Sequence, residues 1–174
     1  MSGTLWLLAA LAFTIVQTAK AQTVTVREGD IYLIAPSGQP RALTSSGRDS
    51  DPALSDDRSK VVFVRTIRDR PDASGLGRVV DQSEIDSIDL NSPNHEVHVL
   101  LNSPVRARGL LFQWFSFPRF SLDGQHVYFM IPDYATISSG LFSLNMTTGI
   151  VQFLAGALKY WTLASGSYRG DPSK

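Results

Sequence analysis

The sequence predicts an all-β protein built from a repeated strand–turn–strand unit. Two twelve-residue segments, which begin at Pro52 and Pro118, share the pattern P-x-[LF]-S-x-D-x-x-x-V-x-F at six fixed positions without a gap. The chain around them alternates short runs of β-branched and aromatic residues with turn-forming residues, and no stretch shows helical periodicity. An internal repeat of this kind is typical of folds in which one supersecondary unit stacks on the next.

The first 21 residues form a predicted signal peptide. Residues 5–16 are an apolar run, and Ala19-Lys20-Ala21 has the A-x-A pattern of a cleavage site. We expect cleavage after Ala21, which leaves residues 22–174 as a periplasmic or secreted chain. An uncleaved membrane anchor is the alternative, but the run is shorter than the roughly 20 residues that span a bilayer. No stable membrane span is expected after cleavage.

The composition argues against several classes of function. Lys and Arg total 16 and so do Asp and Glu, and no basic stripe stands out, which argues against a nucleic-acid partner. The chain has no cysteine, which excludes thiolate catalysis, Cys-ligated zinc and iron–sulfur clusters. At 174 residues, 43% of them hydrophobic, the chain can form one ordinary globular core.

Strands are predicted along the whole mature chain, at 31–34, 40–44, 60–66, 84–90, 95–101, 127–131, 141–145 and 150–154. Segment 84–90 alternates polar and apolar residues at period two, which indicates a half-buried strand. Two connections, 67–82 and 102–109, are rich in charged and turn-forming residues and are predicted to be exposed loops. Residues 160–163 are suited to begin one more strand.

The repeated dodecamer has the chemistry of a tight turn between two buried strands. Its proline suits the start of a strand because it cannot donate to the ladder. Its serine and aspartate can bind nearby backbone N–H groups. A glycine supplies positive φ in the second copy, whereas Arg58 stands there in the first. We expect Phe63 and Phe129 to be buried. The predicted turn residues are Pro52, Ser55, Asp57, Pro118, Ser121, Asp123 and Gly124.

This motif, with a strand such as 31–34 followed by Pro-Arg-Ala-Leu-Thr at 40–44, resembles the repeat of TolB-like β-propellers. The resemblance covers roughly residues 29–154. It implies a partial propeller, open or truncated, of about three four-stranded blades. Blade one would begin at Pro52 and blade two at Pro118, after the outer half of an earlier blade. The proline that usually follows the serine is Asp56 in one copy and Leu122 in the other.

The predicted number of blades is too small for a closed propeller. Closed propellers have about 4–8 blades, whereas the mature chain is long enough for about three and a half blades of 40–45 residues. Either the chain is truncated, which we favour, or it assembles with copies of itself through open blade edges.

No catalytic constellation is visible in the sequence, and no cofactor or metal is expected. Neither Ser55 nor Ser121 stands in a G-x-S-x-G elbow, so a serine hydrolase centre lacks its strained turn. His95 and His98 are three residues apart on a predicted strand and would point to opposite faces. The pair Asp56-Asp57 lies in a predicted turn, where solvated capping explains it.

The segment 110–117 concentrates large apolar side chains ahead of the second motif. If it is exposed, it would form a partner site with Trp114 as anchor and with Phe115, Phe117 and Arg119 alongside. The alternative is that the run enters the core between two blades.

The sequence therefore predicts an exported, non-enzymatic propeller that binds a protein or a small ligand. The alternative implied by the resemblance is the propeller remnant of a prolyl-oligopeptidase-like serine peptidase that lacks its catalytic domain. A degenerate fragment without a cellular role is the third possibility.

Overall fold

All secondary structure in the described part of the chain is β-strand. A computed structural model describes residues 21–73, 75–107, 109–133, 138–157, 160–162 and 168–170, so the predicted signal peptide lies outside them except for Ala21. Within these ranges no helix is present that could span a membrane. The strands are β1 (Thr23–Arg27), β2 (Asp30–Ile34), β3 (Pro40–Ala42), β4 (Asp49–Leu54), β5 (Lys60–Pro71), β6 (Val79–Asp89), β7 (Val97–Asn102), β8 (Val105–Ala107), β9 (Leu110–Phe112), β10 (Ser116–Phe120), β11 (His126–Asp133), β12 (Ser138–Asn145), β13 (Val151–Ala157), β14 (Tyr160–Thr162) and β15 (Tyr168–Gly170).

The strands form three successive antiparallel sheets of the propeller-blade type. Sheet 1 has the order β1-β2-β3, sheet 2 the order β4-β5-β6-β7 and sheet 3 the order β10-β11-β12-β13. Two short hairpins, β8-β9 and β14-β15, stand apart from them. The predicted all-β class and partial propeller are confirmed. In the described residues β1 pairs only with β2, and self-association through this edge stays a prediction.

Sheets 2 and 3 share the same strand–turn–strand unit and the same backbone irregularities. Each dodecamer has the expected strand–turn–strand shape, and the strand ahead of each turn contains a register shift. Asp51 (φ 52°) and Phe117 (φ 51°), one residue before each motif proline, both adopt a left-handed conformation that side chains rarely take. The Phe117 N–H donates to the Asp51 carboxylate at 3.1 Å. Equivalent positions of neighbouring sheets are therefore bonded directly.

The core consists of two apolar layers, one on each face of sheet 2. Ile31 of β2 packs with Phe63 and Ile88 between sheets 1 and 2. Phe120 and Phe129 pack with Val62 between sheets 2 and 3. Phe63 and Phe129 are fully buried, as expected.

Because sheet 2 is covered on both faces, the prediction that 84–90 is a half-buried strand is wrong. Residues 85–88 are all buried, including Asp86 and Ser87.

The two segments predicted to be exposed loops both contain strand. β5 continues to Pro71 and β6 begins at Val79, with Arg70 paired to Val80, so the 67–82 segment extends a long hairpin. In 102–109, β8 pairs with β9 and Val105 is buried. Charged side chains on a strand can point to solvent while the backbone groups remain paired in the sheet. The charged composition of these two segments therefore did not indicate strands.

Strand direction defines two ends of the sheets. The turn end carries the connections β4–β5 and β10–β11, where both motifs make their turns. The hairpin end carries the β5–β6 connection. Because β7 runs antiparallel to β6, it also finishes at the hairpin end, and the β8-β9 hairpin lies between β7 and β10 there.

Candidate functional site

A buried polar network joins the two long connections at the hairpin end. The Gln113 amide N–H₂ donates to the Asp72 carboxylate at 3.1 Å. The Gln113 amide oxygen accepts from the Gln82 side chain at 2.8 Å and from the Ala73 backbone N–H at 3.1 Å. Gln82 also donates to the Pro71 carbonyl at 2.8 Å. Both glutamines are buried, so these bonds fix the β5–β6 hairpin against the segment before β10.

Backbone contacts extend this brace toward sheet 3. The Ser83 N–H donates to the Gln113 carbonyl at 2.9 Å, and the Phe115 N–H donates to the Ser83 hydroxyl at 2.6 Å. The Ser103 hydroxyl donates to the Gln82 side-chain oxygen at 3.1 Å. The network therefore joins the β5–β6 hairpin to the segment before β10 that contains Gln113. We call these two joined segments the platform.

Large apolar side chains are exposed in the segment 110–117, which contains Gln113 of this platform. We call the exposed set the aromatic surface: Leu110 (59% exposed), Leu111 (38%), Trp114 (37%) and Phe117 (47%). The Trp114 indole N–H donates to the Asp81 carbonyl at 2.7 Å, which orients the ring against the β5–β6 hairpin. A polar recess of about 300 Å³ adjoins the same hairpin, lined by Ile67, Arg70, Gln82, Glu84, Asn102 and Ser103.

Of the four residues predicted for partner binding, one is buried and a second is half-buried. Phe115 is only 5% exposed and its ring meets Phe129 edge to face at 5.4 Å, so it belongs to the core. Arg119 is half-buried in β10, and its guanidinium donates to the Pro118 carbonyl at 2.7 Å. Trp114 and Phe117 are exposed in part, so the run 110–117 divides between surface and core.

At the turn end, both motifs form the same hydrogen-bonded turn. The Ser55 hydroxyl donates to Asp57 and the Ser121 hydroxyl to Asp123, each at 2.6 Å. Each serine oxygen also accepts the backbone N–H five residues later at 2.9 Å. Arg58 takes φ 59° where Gly124 takes φ 67°, so the first copy makes its turn with a strained arginine.

The two turns line one cleft of about 200 Å³ between neighbouring sheets. The Ser55 hydroxyl, followed by the backbone and hydroxyl of Ser59, lowers the pKa of Asp57 to about 2. The Ser121 hydroxyl and the Gln125 N–H lower the pKa of Asp123. These carboxylates are therefore ionised and engaged in holding their turns. In the described residues, no three His, Asp or Glu side chains are grouped to hold a metal.

Comparisons with known proteins identify the fold. A TolB from Agrobacterium tumefaciens matches with a TM-score of 0.55 at 20% identity over 79% of this chain. The fold is that of a TolB-like β-propeller. A puromycin-hydrolyzing peptidase from Mycobacterium tuberculosis matches with a TM-score of 0.52 at 17% identity over 83% of this chain. No family model and no curated protein matches the sequence.

The chain spans only part of these structures. It covers 45% of the TolB chain and 24% of the peptidase chain. The platform at the hairpin end depends on the buried Gln82–Gln113 hydrogen bond. Sequence reasoning missed Gln82 and Gln113 because two amides 31 residues apart carry no local pattern.

Proposed function

We propose that this chain is part of an exported, non-enzymatic propeller that binds a protein partner through the aromatic surface. The exposure of Leu110, Leu111, Trp114 and Phe117 within one short segment, with the Trp114 indole held on the β5–β6 hairpin, is the observation that carries the proposal. Export is supported by the apolar run and the A-x-A pattern that precede Gln22.

The platform has the properties of a protein-binding surface. Partly exposed aromatic side chains on a rigid support lose little conformational entropy on binding, and Trp is enriched among residues that dominate interface energy. The buried Gln82–Gln113 bond holds the support in place before any partner arrives. The polar recess lined by Arg70 and Glu84 supplies hydrogen-bonding groups on the same hairpin that holds the Trp114 indole.

A second candidate is the propeller remnant of a prolyl-oligopeptidase-like peptidase. The match to the puromycin-hydrolyzing peptidase at a TM-score of 0.52 favours it. In that case the propeller would control access to a catalytic domain. The coding sequence after Lys174 distinguishes the two: an α/β region with a G-x-S-x-G elbow would favour the peptidase, and further blade motifs would favour the binding module.

Site-specific photocrosslinking tests the proposed surface. A photoreactive amino acid at Leu110 in the full chain, expressed in its native host, is expected to capture a defined protein partner. The same group at Ile150 is a matched control, because Ile150 is 64% exposed at the turn end. Equal capture from both positions would contradict the proposal.

Purified partner then allows a quantitative test. Trp114→Ala is expected to weaken binding by about 2 kcal/mol, roughly 30-fold, if the indole is an interface anchor. Ile150→Ala should leave the affinity unchanged. Isothermal titration calorimetry measures both, and equal affinity of wild type and Trp114→Ala would count against the aromatic surface.

A further inference from the structure

A charged cluster crosses three neighbouring strands of sheet 2. Asp49, Arg65 and Glu84 lie in register on β4, β5 and β6. The Arg65 guanidinium binds both oxygens of Asp49, with Nε at 2.7 Å and Nη2 at 3.0 Å. Its remaining nitrogen, Nη1, lies 3.3 Å from Asp86. One cation thus serves two carboxylates whose side chains have no solvent exposure.

Asp86 is the group that this arrangement leaves unsatisfied. Neither of its carboxylate oxygens has a hydrogen-bond partner in the described residues. An ionised buried carboxylate without hydrogen bonds is costly, whereas a protonated one has no net charge to desolvate. The contact with Arg65 offsets this cost only in part, since the guanidinium already holds Asp49 in two bonds.

The cluster lies on the face of sheet 2 that packs against sheet 1. Phe63, the cross-strand neighbour of Asp86, belongs to the apolar layer that contains Ile31 of β2. The charged groups that act on Asp86 are Arg65, Glu84 and Asp49. β7 places the apolar Val99 opposite Asp86. Among the described residues, Arg65 is therefore the positive charge that acts on an ionised Asp86.

We propose that Asp86 is a proton-binding site between sheets 1 and 2, and that loss of its proton weakens the docking of sheet 1 on sheet 2. An ionised Asp86 adds a second buried negative charge against the single Arg65 cation, with Glu84 adjacent. Separation of the two sheets admits water to the carboxylate and relieves this charge. Proton binding therefore favours the closed, docked arrangement.

The expected titration agrees with this geometry. Burial, opposed by Arg65 and reinforced by Glu84 and Asp49, raises the pKa of Asp86 from 3.8 to about 7. Since the folded chain holds a proton that the unfolded chain releases, stability from this group is complete below the unfolded pKa of 3.8. It is lost as pH rises through about 7.

Amide hydrogen exchange of the full chain tests the proposal. After correction for intrinsic exchange rates, protection of β1–β3 is expected to fall by at least tenfold between pH 5.5 and pH 8.5, while amides of sheet 3 change less. Asp86→Asn removes the titrating group and should abolish the difference. A wild-type chain without pH-dependent protection in β1–β3, or an Asp86→Asn chain that keeps it, would overturn the proposal.

Glu84→Gln provides a second test that retains Asp86. Removal of this negative neighbour should lower the pKa of Asp86, so the loss of protection in β1–β3 should occur at higher proton concentration, that is, at lower pH. Asp81→Asn is the matched control, because Asp81 is an exposed carboxylate on the same strand. A midpoint unchanged by Glu84→Gln, or moved equally by Asp81→Asn, would contradict the inference.

Discussion

Phe129→Ala is expected to lower the free energy of unfolding by about 3–5 kcal/mol, the usual cost of removing a buried phenyl ring. Phe129 has no solvent exposure and lies at the centre of the layer between sheets 2 and 3. Its ring meets Phe115 edge to face at 5.4 Å and stacks on Phe142 at 5.8 Å. Substitution removes both contacts and leaves a cavity at the interface between the two sheets.

Urea denaturation followed by circular dichroism measures this loss. Leu76→Ala is the control, because Leu76 is 68% exposed near the hairpin end and a surface truncation usually changes stability by less than about 0.5 kcal/mol. A cost for Phe129→Ala no larger than that for Leu76→Ala would show that the two four-stranded sheets do not share this core.

Arg65→Met is expected to destabilise the protein by about 3 kcal/mol at pH 8. Removing one partner of a buried ion pair leaves the other charge uncompensated, which typically costs about 3–5 kcal/mol. We expect the lower end of that range because the Arg65 side chain is 19% exposed. Arg65 is the cation that contacts both Asp49 and Asp86, so both carboxylates lose their counter-charge together.

The pH dependence of the stability loss in Arg65→Met tests whether the charge of Asp86 causes it. Asp86, with its pKa raised to about 7 by burial, is protonated at pH 5.5, so the cost of Arg65→Met should be smaller there than at pH 8. Arg70→Met is the matched control, because Arg70 is exposed and forms no ion pair among the described residues. Equal costs for the two arginine variants at pH 8 would contradict the role of the charged cluster.

The repeated motif was enough to predict the blades. Its serine and aspartate act within a few residues of each other, as in the Ser121–Asp123 bond at 2.6 Å, so the turn is encoded locally. The apolar spacing after the turn then places Phe63 and Phe129 in the core. Sequence was sufficient here because every contact involved is close along the chain or follows from strand alternation.

The residues of the aromatic surface could be predicted only in part. Simple alternation would place Phe115 and Phe117 on the same face, yet Phe115 is buried and Phe117 is 47% exposed. The left-handed conformation of Phe117 and the register shift after Ser116 break the alternation, and neither has a sequence signal such as glycine.

The charged cluster escaped sequence reasoning for a different reason. The polar residues of 84–90 alternate in the manner of a strand with one solvent-facing side. This pattern predicts that Asp86 is exposed. Sheet 1 covers that face, and the ion pair with Arg65 becomes visible only when β5 and β6 are placed in register. Burial of this face depends on contacts between sheets, which no local pattern encodes.

A crystal structure of residues 22–174 tests whether two equivalent blades stand side by side. We expect sheets 2 and 3 to superimpose as neighbouring wedges, with the Phe117 amide bonded to the Asp51 carboxylate and both Ser–Asp turns at one end. Motif turns found at opposite ends, or within a single sheet, would contradict it.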